Sequence, residues 1–379
     1  MSELGPLSGF TVAITADRRA EEQAEFLRRR QASIWHVPVI RTHPLGPDDG
    51  LRDATDELIR RPPRYLVLTT GIGTRAWFEA ARSLGLEEEL LAALRGATVL
   101  ARGPKAAGAA ITAGLEVSWR APRETLRDVI EHLEESGISG ARVAVQLDGA
   151  SDASAVRLLA GLGADVVGVP VYRWTRPDDE VAVIRLVEAI EQQRVDAVTF
   201  TAAAAVHNLA AIAAEAGRLE AMRDGFRTGV VAACVGPVCA DAAAHVGIGP
   251  VVVPPRARLG SMIGTLTEVL AARCREVRLA GSHVVLRGAL VVVDGRPVQL
   301  SDRERGLLAV LLERRGAVVS KGELLHRVWR CPETNPHAVE MAVNRLRRKL
   351  GPSGDAIATV NRRGYRIAVE SAHEDGPTA

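Results

Sequence analysis

With 379 residues and a formal net charge of only +2, the chain has material for two or three separately folded domains and is not basic throughout. Its start, Met1-Ser2-Glu3-Leu4-Gly5-Pro6, lacks a basic segment followed by an apolar run, and no apolar stretch approaches the ~20 residues of a membrane helix. A cytoplasmic chain with no membrane partner is therefore expected. Its four cysteines, Cys234, Cys239, Cys274 and Cys331, match no zinc spacing and point to inert thiols with no bound metal.

The first predicted strand, Val12-Ala13-Ile14-Thr15, opens a region that repeats itself. His36-Val37-Pro38-Val39-Ile40-Arg41-Thr42 echoes Gly168-Val169-Pro170-Val171-Tyr172-Arg173-Trp174, and Tyr65-Leu66-Val67-Leu68-Thr69-Thr70-Gly71 echoes Asp196-Ala197-Val198-Thr199-Phe200-Thr201-Ala202. Val99-Leu100-Ala101-Arg102-Gly103-Pro104-Lys105 likewise echoes Ala233-Cys234-Val235-Gly236-Pro237-Val238-Cys239. Each time a short apolar strand runs into a turn of small residues and then an Ala-rich helix. That alternation predicts a parallel α/β sheet with crossover helices, built twice.

In order and spacing these segments resemble the uroporphyrinogen-III synthase (HemD) family over about residues 8–270. The resemblance implies two flavodoxin-like α/β lobes joined by a two-stranded connector, here the two Val-Pro-Val segments. On that layout residues 1–270 form the bilobal domain, with lobe 1 from 8–37 and 171–270 and lobe 2 from 39–169. It also implies an interlobe cleft for a linear tetrapyrrole bearing eight carboxylates, cyclised without a cofactor. Thr15, Thr70, Lys105, Thr201, Gly236 and Pro237 fall at strand-to-helix turns, where open α/β sheets place ligands, and form the expected set for a small anionic, tetrapyrrole-like ligand. The same residues also suit ordinary helix caps. Tyr172 stands where the family carries a cleft tyrosine; its phenol can supply a proton, touch a ligand, or lie buried against the sheet. Ala202 replaces an expected serine and is followed by Ala203, Ala204 and Ala205, so synthase activity is expected to be weak or lost.

Residues 271–282, poor in Gly and Pro, read as a short linker continuing a helix. Beyond it the charge changes: residues 281–370 hold sixteen Lys and Arg against nine Asp and Glu, whereas the first 280 hold 32 against 35. A basic end on a mildly acidic body is what a phosphate-binding domain produces. From His337 to Leu350, apolar Val339, Val343, Leu346 and Leu350 recur at helical spacing, while Arg345, Arg347, Arg348 and Lys349 crowd the remaining surface. Asn335 and Pro336 suit a helix start. Ala358–Val369 alternates and is turned by Gly364, as a hairpin wing would be. A solvated charged helix is the plainer reading of such a run.

Leu300-Ser301-Asp302-Arg303-Glu304, Val319-Ser320-Lys321-Gly322-Glu323-Leu324-Leu325, Val328-Trp329 and the 339–350 segment together resemble the winged-helix output domain of OmpR/PhoB-type regulators, over residues 283–370. The resemblance implies an α+β winged helix on double-stranded DNA. His337, Asn344, Arg345, Arg347, Arg348 and Lys349 would contact DNA from the recognition helix, with Arg347 and Lys349 on the backbone. Arg362 and Arg363 would contact it from the wing. The family usually has Arg-Gly ahead of the residue preceding the turn glycine; here Asn361-Arg362-Arg363 shifts the arginine along the hairpin. Residues 371–379 read as a disordered tail. The phosphoacceptor receiver that usually precedes such a domain is not legible, since Ile14-Thr15-Ala16 and Leu68-Thr69-Thr70 lack the acids of its Mg²⁺ pocket. As a whole the chain resembles the actinobacterial HemD-like regulators of nitrate and nitrite assimilation, the NnaR type. That implies nitrogen-assimilation promoters and a co-regulator of the GlnR type. The alternative is a bifunctional uroporphyrinogen-III synthase fused to a DNA-binding domain.

Overall fold

The computed structural model describes residues 4–44, 50–147, 152–329 and 335–370, so Cys331 and the tail at 371–379 lie outside the described residues. The chain divides into two compact units, Met1–Val39 with Asp179–Ala379, and Ile40–Asp178.

The first unit opens with Thr11–Ile14 (β1), Ala20–Arg28 (α1) and Ser33–His36 (β2). The chain then enters the second unit through Arg41–Pro44 (β3). There it forms Arg52–Arg60 (α2), Tyr65–Leu68 (β4), Gly71–Ser83 (α3), Glu87–Leu94 (α4), Thr98–Ala101 (β5), Pro104–Thr112 (α5) and Val117–Arg120 (β6). Leu126–Glu135 (α6), Arg142–Leu147 (β7), Asp152–Gly161 (α7), Asp165–Pro170 (β8) and Tyr172–Thr175 (β9) follow. Its sheet is parallel in the order β6-β5-β4-β7-β8. Leu66, Val67, Leu68 and Val143, Ala144, Val145 are buried on both faces, which explains their unbroken apolar runs.

β3 and β9 pair antiparallel, Arg41 opposite Thr175 and Pro44 opposite Tyr172. The connector therefore lies just beyond the Val-Pro-Val segments rather than in them. Val37 and Val39 give their amides to the carbonyls of Ile14 and Thr15, and Val169 and Pro170 belong to β8. Because β9 pairs with β3, residues 171–178 fall in the second unit instead of the first lobe.

The first unit resumes with Glu180–Glu191 (α8), Ala197–Phe200 (β10), Ala203–Glu215 (α9), Leu219–Thr228 (α10), Val231–Cys234 (β11), Pro237–His245 (α11), Val251–Val252 (β12) and Leu259–Ala271 (α12). Its parallel sheet runs β12-β11-β10-β1-β2. Matched through the sequence repeat, β7, β8, β4, β5 and β6 occupy the places of β1, β2, β10, β11 and β12. The two sheets thus share one spatial order, circularly permuted in the chain, which is the flavodoxin-like 2-1-3-4-5 arrangement.

The expected linker does not exist as such. Arg275–Leu279 (β13) starts within it and pairs with Ser282–Arg287 (β14), because Val277 and Leu279 alternate into the C-terminal core. Leu290–Val293 (β15) and Arg296–Gln299 (β16) complete a four-stranded antiparallel sheet. Asp302–Glu313 (α13), Lys321–Leu324 (α14) continued by a π-helical turn to Trp329, His337–Leu350 (α15), Ile357–Val360 (β17) and Gly364–Ile367 (β18) follow. Leu307, Leu311, Val343, Leu346 and Ile367 share one core with the meander.

Candidate nucleic-acid interface and ligand turns

Helix α15 starts where the side chain of Asn335 accepts the His337 amide at 2.9 Å. Val339, Val343, Leu346 and Leu350 are fully buried, which fixes the rotation of the helix. Residues advance about 100° each along a helix. His337, Met341, Asn344, Arg345 and Arg348 consequently fall within one arc, and all five are exposed. This stripe bears two guanidinium groups and one amide, the groups that read base edges and phosphates.

Two expected DNA contacts are not on that stripe. Arg347 donates to the Ile357 carbonyl from Nε (2.9 Å) and Nη2 (2.6 Å), bonds the Thr359 hydroxyl, and lies over the Tyr365 ring. Lys349 bonds the Gln299 carbonyl at 2.9 Å and the buried Glu304 carboxylate at 2.7 Å. Arg347 therefore ties the helix to the wing, and Lys349 ties it to α13. Both point back into the domain because the helix turns them away from the exposed arc. Burial raises the Glu304 pKa, but hydrogen bonds from Lys349 and Ser301 outweigh it and hold the carboxyl below its ordinary range. Glu304 thus serves both a Ser301 capping box and the last turn of α15.

Asn361, Arg362 and Arg363 form the exposed tip between β17 and β18. Arg362 takes a left-handed conformation, φ 58°. Gly364, at φ 135°, is required, since a Cβ there would stand 2.0 Å from the Val319 carbonyl oxygen. Val319 and Tyr365 exchange both backbone hydrogen bonds, which pins the wing beside the start of α14. His337 contacts Glu340, and Lys321 bonds Glu340 at 2.5 Å, holding that carboxyl below its usual range. Met341 and Arg366 are exposed beside the expected residues; the period-2 alternation of Tyr365, Arg366 and Ile367 carried the signal for the second.

The ligand-turn residues divide between the units. In the second unit, Thr70 caps α3 by accepting the Gly73 amide at 3.1 Å. Beneath it Gln146, fully buried, accepts from the amides of Thr69 (2.9 Å) and Thr70 (3.2 Å). Lys105 is exposed in the first turn of α5, and its carbonyl sits where a Cβ on Gly71 would collide at 2.1 Å. Tyr172 is buried beside Trp174, with ring centroids 5.8 Å apart.

In the first unit Thr201 lies half-buried at the end of β10, and Gly236 and Pro237 start α11 in extended and N1 positions. Thr15 is not a surface group. Its hydroxyl is fully buried and donates to the Thr199 carbonyl at 2.6 Å, because the strand end turns it inward. Ala202 caps α9 without any side-chain bond. Burial pushes the thiols of Cys234 and Cys239 up to about 12. Among the described residues no three His, Cys, Asp or Glu side chains are grouped to hold a metal ion, and no helix is long and apolar enough to cross a membrane.

Residues 21–264 match the family described as uroporphyrinogen-III synthase HemD, and residues 295–367 match the C-terminal domain of transcriptional regulatory proteins. An uncharacterized protein of Bacillus subtilis, YjjA, is 31% identical over 69% of this chain and 96% of its own length. The uroporphyrinogen III synthase of Thermus thermophilus, in a crystal structure of a mutant, is similar with a TM-score of 0.58 at 30% identity, covering 70% of this chain and all of that one. The transcriptional regulatory protein CutR of Streptomyces coelicolor is 45% identical over 20% of this chain and 34% of its own length. TctD of Salmonella typhimurium is 32% identical over 28% and 48%, so the likeness to these regulators spans half their length or less.

Proposed function

The chain belongs to the uroporphyrinogen-III synthase HemD family, and from that premise we propose that its two lobes sense a small anionic, tetrapyrrole-like ligand for the DNA-binding domain fused to them. The protein is a DNA-binding transcriptional regulator with an OmpR/PhoB-type domain on a HemD-like domain. The exposed stripe of α15 carries the reading: Asn344, Arg345 and Arg348 face outward together while the other basic residues of the helix are used internally. On B-DNA a helix of this kind enters the major groove, and the tip at Arg362 and Arg363 reaches the adjoining backbone or minor groove. Work on chromosomal DNA would place the protein in the cytoplasm.

A sensing role fits the lobes better than turnover. Ala202 leaves the first lobe's β10–α9 turn without the hydroxyl that Thr70 supplies at the equivalent turn of the second. Thr15 is removed from the ligand set by burial; Thr70, Lys105, Thr201, Gly236 and Pro237 remain in it. Incubation with freshly generated hydroxymethylbilane separates the alternatives. Formation of the type III isomer at the rate of a metabolic enzyme would make the protein a bifunctional synthase.

The target genes we propose are those of nitrate and nitrite assimilation, with a GlnR-type co-regulator, on the architecture's resemblance alone. Selection of genomic duplexes by the full chain tests both: fragments from other loci only, or no overlap with the co-regulator's sites, would remove them. On a selected duplex, Arg345→Ala should weaken specific binding by about 1–3 kcal/mol. Arg362→Ala or Arg363→Ala should each flatten the salt dependence by about one unit of slope. Unchanged affinity in a folded Arg345→Ala protein would end the assignment of α15.

A further inference from the structure

Helix α12 returns the chain to the amino-terminal edge of the first unit's parallel sheet, because a crossover helix runs antiparallel to its strands. Only residues 272–274 separate it from β13. Three extended residues span at most about 10–11 Å, so the winged helix has to begin beside that edge.

What it meets there is a fitted surface. The Ala289 amide, between β14 and β15, donates to the Gly9 carbonyl just ahead of β1 at 2.8 Å. Arg287 donates to the carbonyls of Gly5 (2.8 Å) and Pro6 (2.9 Å). A Cβ on Gly9 would lie 2.2 Å from the Arg287 carbonyl oxygen, and one on Gly288 would lie 2.4 Å from that of Gly9. Both glycines have positive φ, so the two backbones approach as only glycine permits. Asp196, buried at the amino end of β10, accepts from the Thr11 amide and pairs with Arg305 of α13 at 2.5 Å.

We infer that the winged-helix domain is seated on the amino-terminal edge of the first lobe's sheet through this surface, as a fixed docking site and not a tether. A buried carboxylate with one of its partners removed is strongly unfavourable, so Asp196 holds Arg305 in place. The exposed stripe of α15 is left uncovered by the contact. The strand that bears Asp196 at one end leads to Thr201 at the other, so the seat and the first lobe's ligand turn share β10. The inference does not depend on the identity of ligand or operator.

Amide hydrogen exchange on the full chain tests it at Ala289, whose acceptor, the Gly9 carbonyl, lies across the seam. Protection of Ala289 in the wild-type protein, independent of protein concentration, is the expected result. Arg305→Met should then raise exchange at Ala289 at least tenfold while the amide of Val343 in α15 keeps its protection. Gly288→Val should do the same by pushing the backbones apart. Ala289 exchanging in the wild type as freely as an exposed loop would overturn the docking. So would protection that disappears on dilution, which would assign the contact to a second copy, or protection unmoved by both variants.

Discussion

The turns that start α3 and α9 follow one backbone path and carry different chemistry. Thr70 sits at φ −140°, ψ 139° and Ala202 at φ −144°, ψ 140°. Thr70 accepts a helix amide through its side chain, and Ala202 accepts none. Strand register extends the comparison: Val145 pairs with Val67 and Ile14 with Thr199, so Gln146 and Thr15 are counterparts. Gln146 reaches two turn amides, whereas the shorter Thr15 stops at a strand carbonyl. The two turns therefore share a backbone path and differ in the side-chain polar groups they carry. The start of α9 has no side-chain acceptor at its cap, whereas the Thr69 and Thr70 amides of the other lobe's turn are met by Gln146.

The largest expected effect comes from Gln146→Leu. It leaves the Thr69 and Thr70 amides without their acceptor, at about 1–3 kcal/mol each. Denaturant unfolding should show a loss of about 2–5 kcal/mol. Thr15→Val, its counterpart, removes one hydrogen bond donated to a carbonyl and should cost about 1 kcal/mol. Equal costs would dissolve the contrast between the turns.

A second test separates the units by pH. Cys234 and Cys239 lie in the first unit, and residues 40–178 contain no cysteine. Burial raises both thiols from 9.0 to about 12, so the folded protein keeps protons that the unfolded chain has released. Stability of the first unit should therefore fall as pH climbs from 9.0 towards about 12, by up to ~1.4 kcal/mol per thiol per pH unit. Urea unfolding at pH 8 and pH 10 should show a difference that a Cys234→Ala, Cys239→Ala double variant largely abolishes. A difference unaffected by that variant would mean other groups control it.

The smallest effect is a reciprocal pair. Thr70→Ala should cost about 1 kcal/mol, and Ala202→Ser should gain a similar amount by capping α9. If Ala202→Ser is neutral or destabilising, the α9 turn is not merely an uncapped copy of the α3 turn.

Much of this architecture is legible in the order of the residues. Unbroken apolar strands followed by small-residue turns specify parallel strands covered on both faces, and their duplication specifies two such sheets. The 3.6-residue spacing of Val339, Val343, Leu346 and Leu350 specifies the rotation of α15, because burial of that face leaves the helix no other orientation. The connector lies a few residues beyond the Val-Pro-Val pattern, since the end of β1 takes up the amides of Val37 and Val39, which no local pattern reveals.

Tertiary structure decided which side chains of each type are free. Arg345 and Arg347 are two positions apart in the sequence and alike in charge, yet Arg347 finds Ile357, Thr359 and Tyr365, while Arg345 lies on the exposed face. Thr15 and Thr70 both follow apolar strands, but only Thr70 remains at a turn surface. Asp196 and Arg305, 109 positions apart, acquire each other only when α12 brings the last domain to the edge of the first sheet. Local periodicity determined the elements because each residue's burial depends on its neighbours three or two positions away. The hydrogen-bond partners of polar groups come from anywhere in the chain, and only the folded backbone brings them within reach.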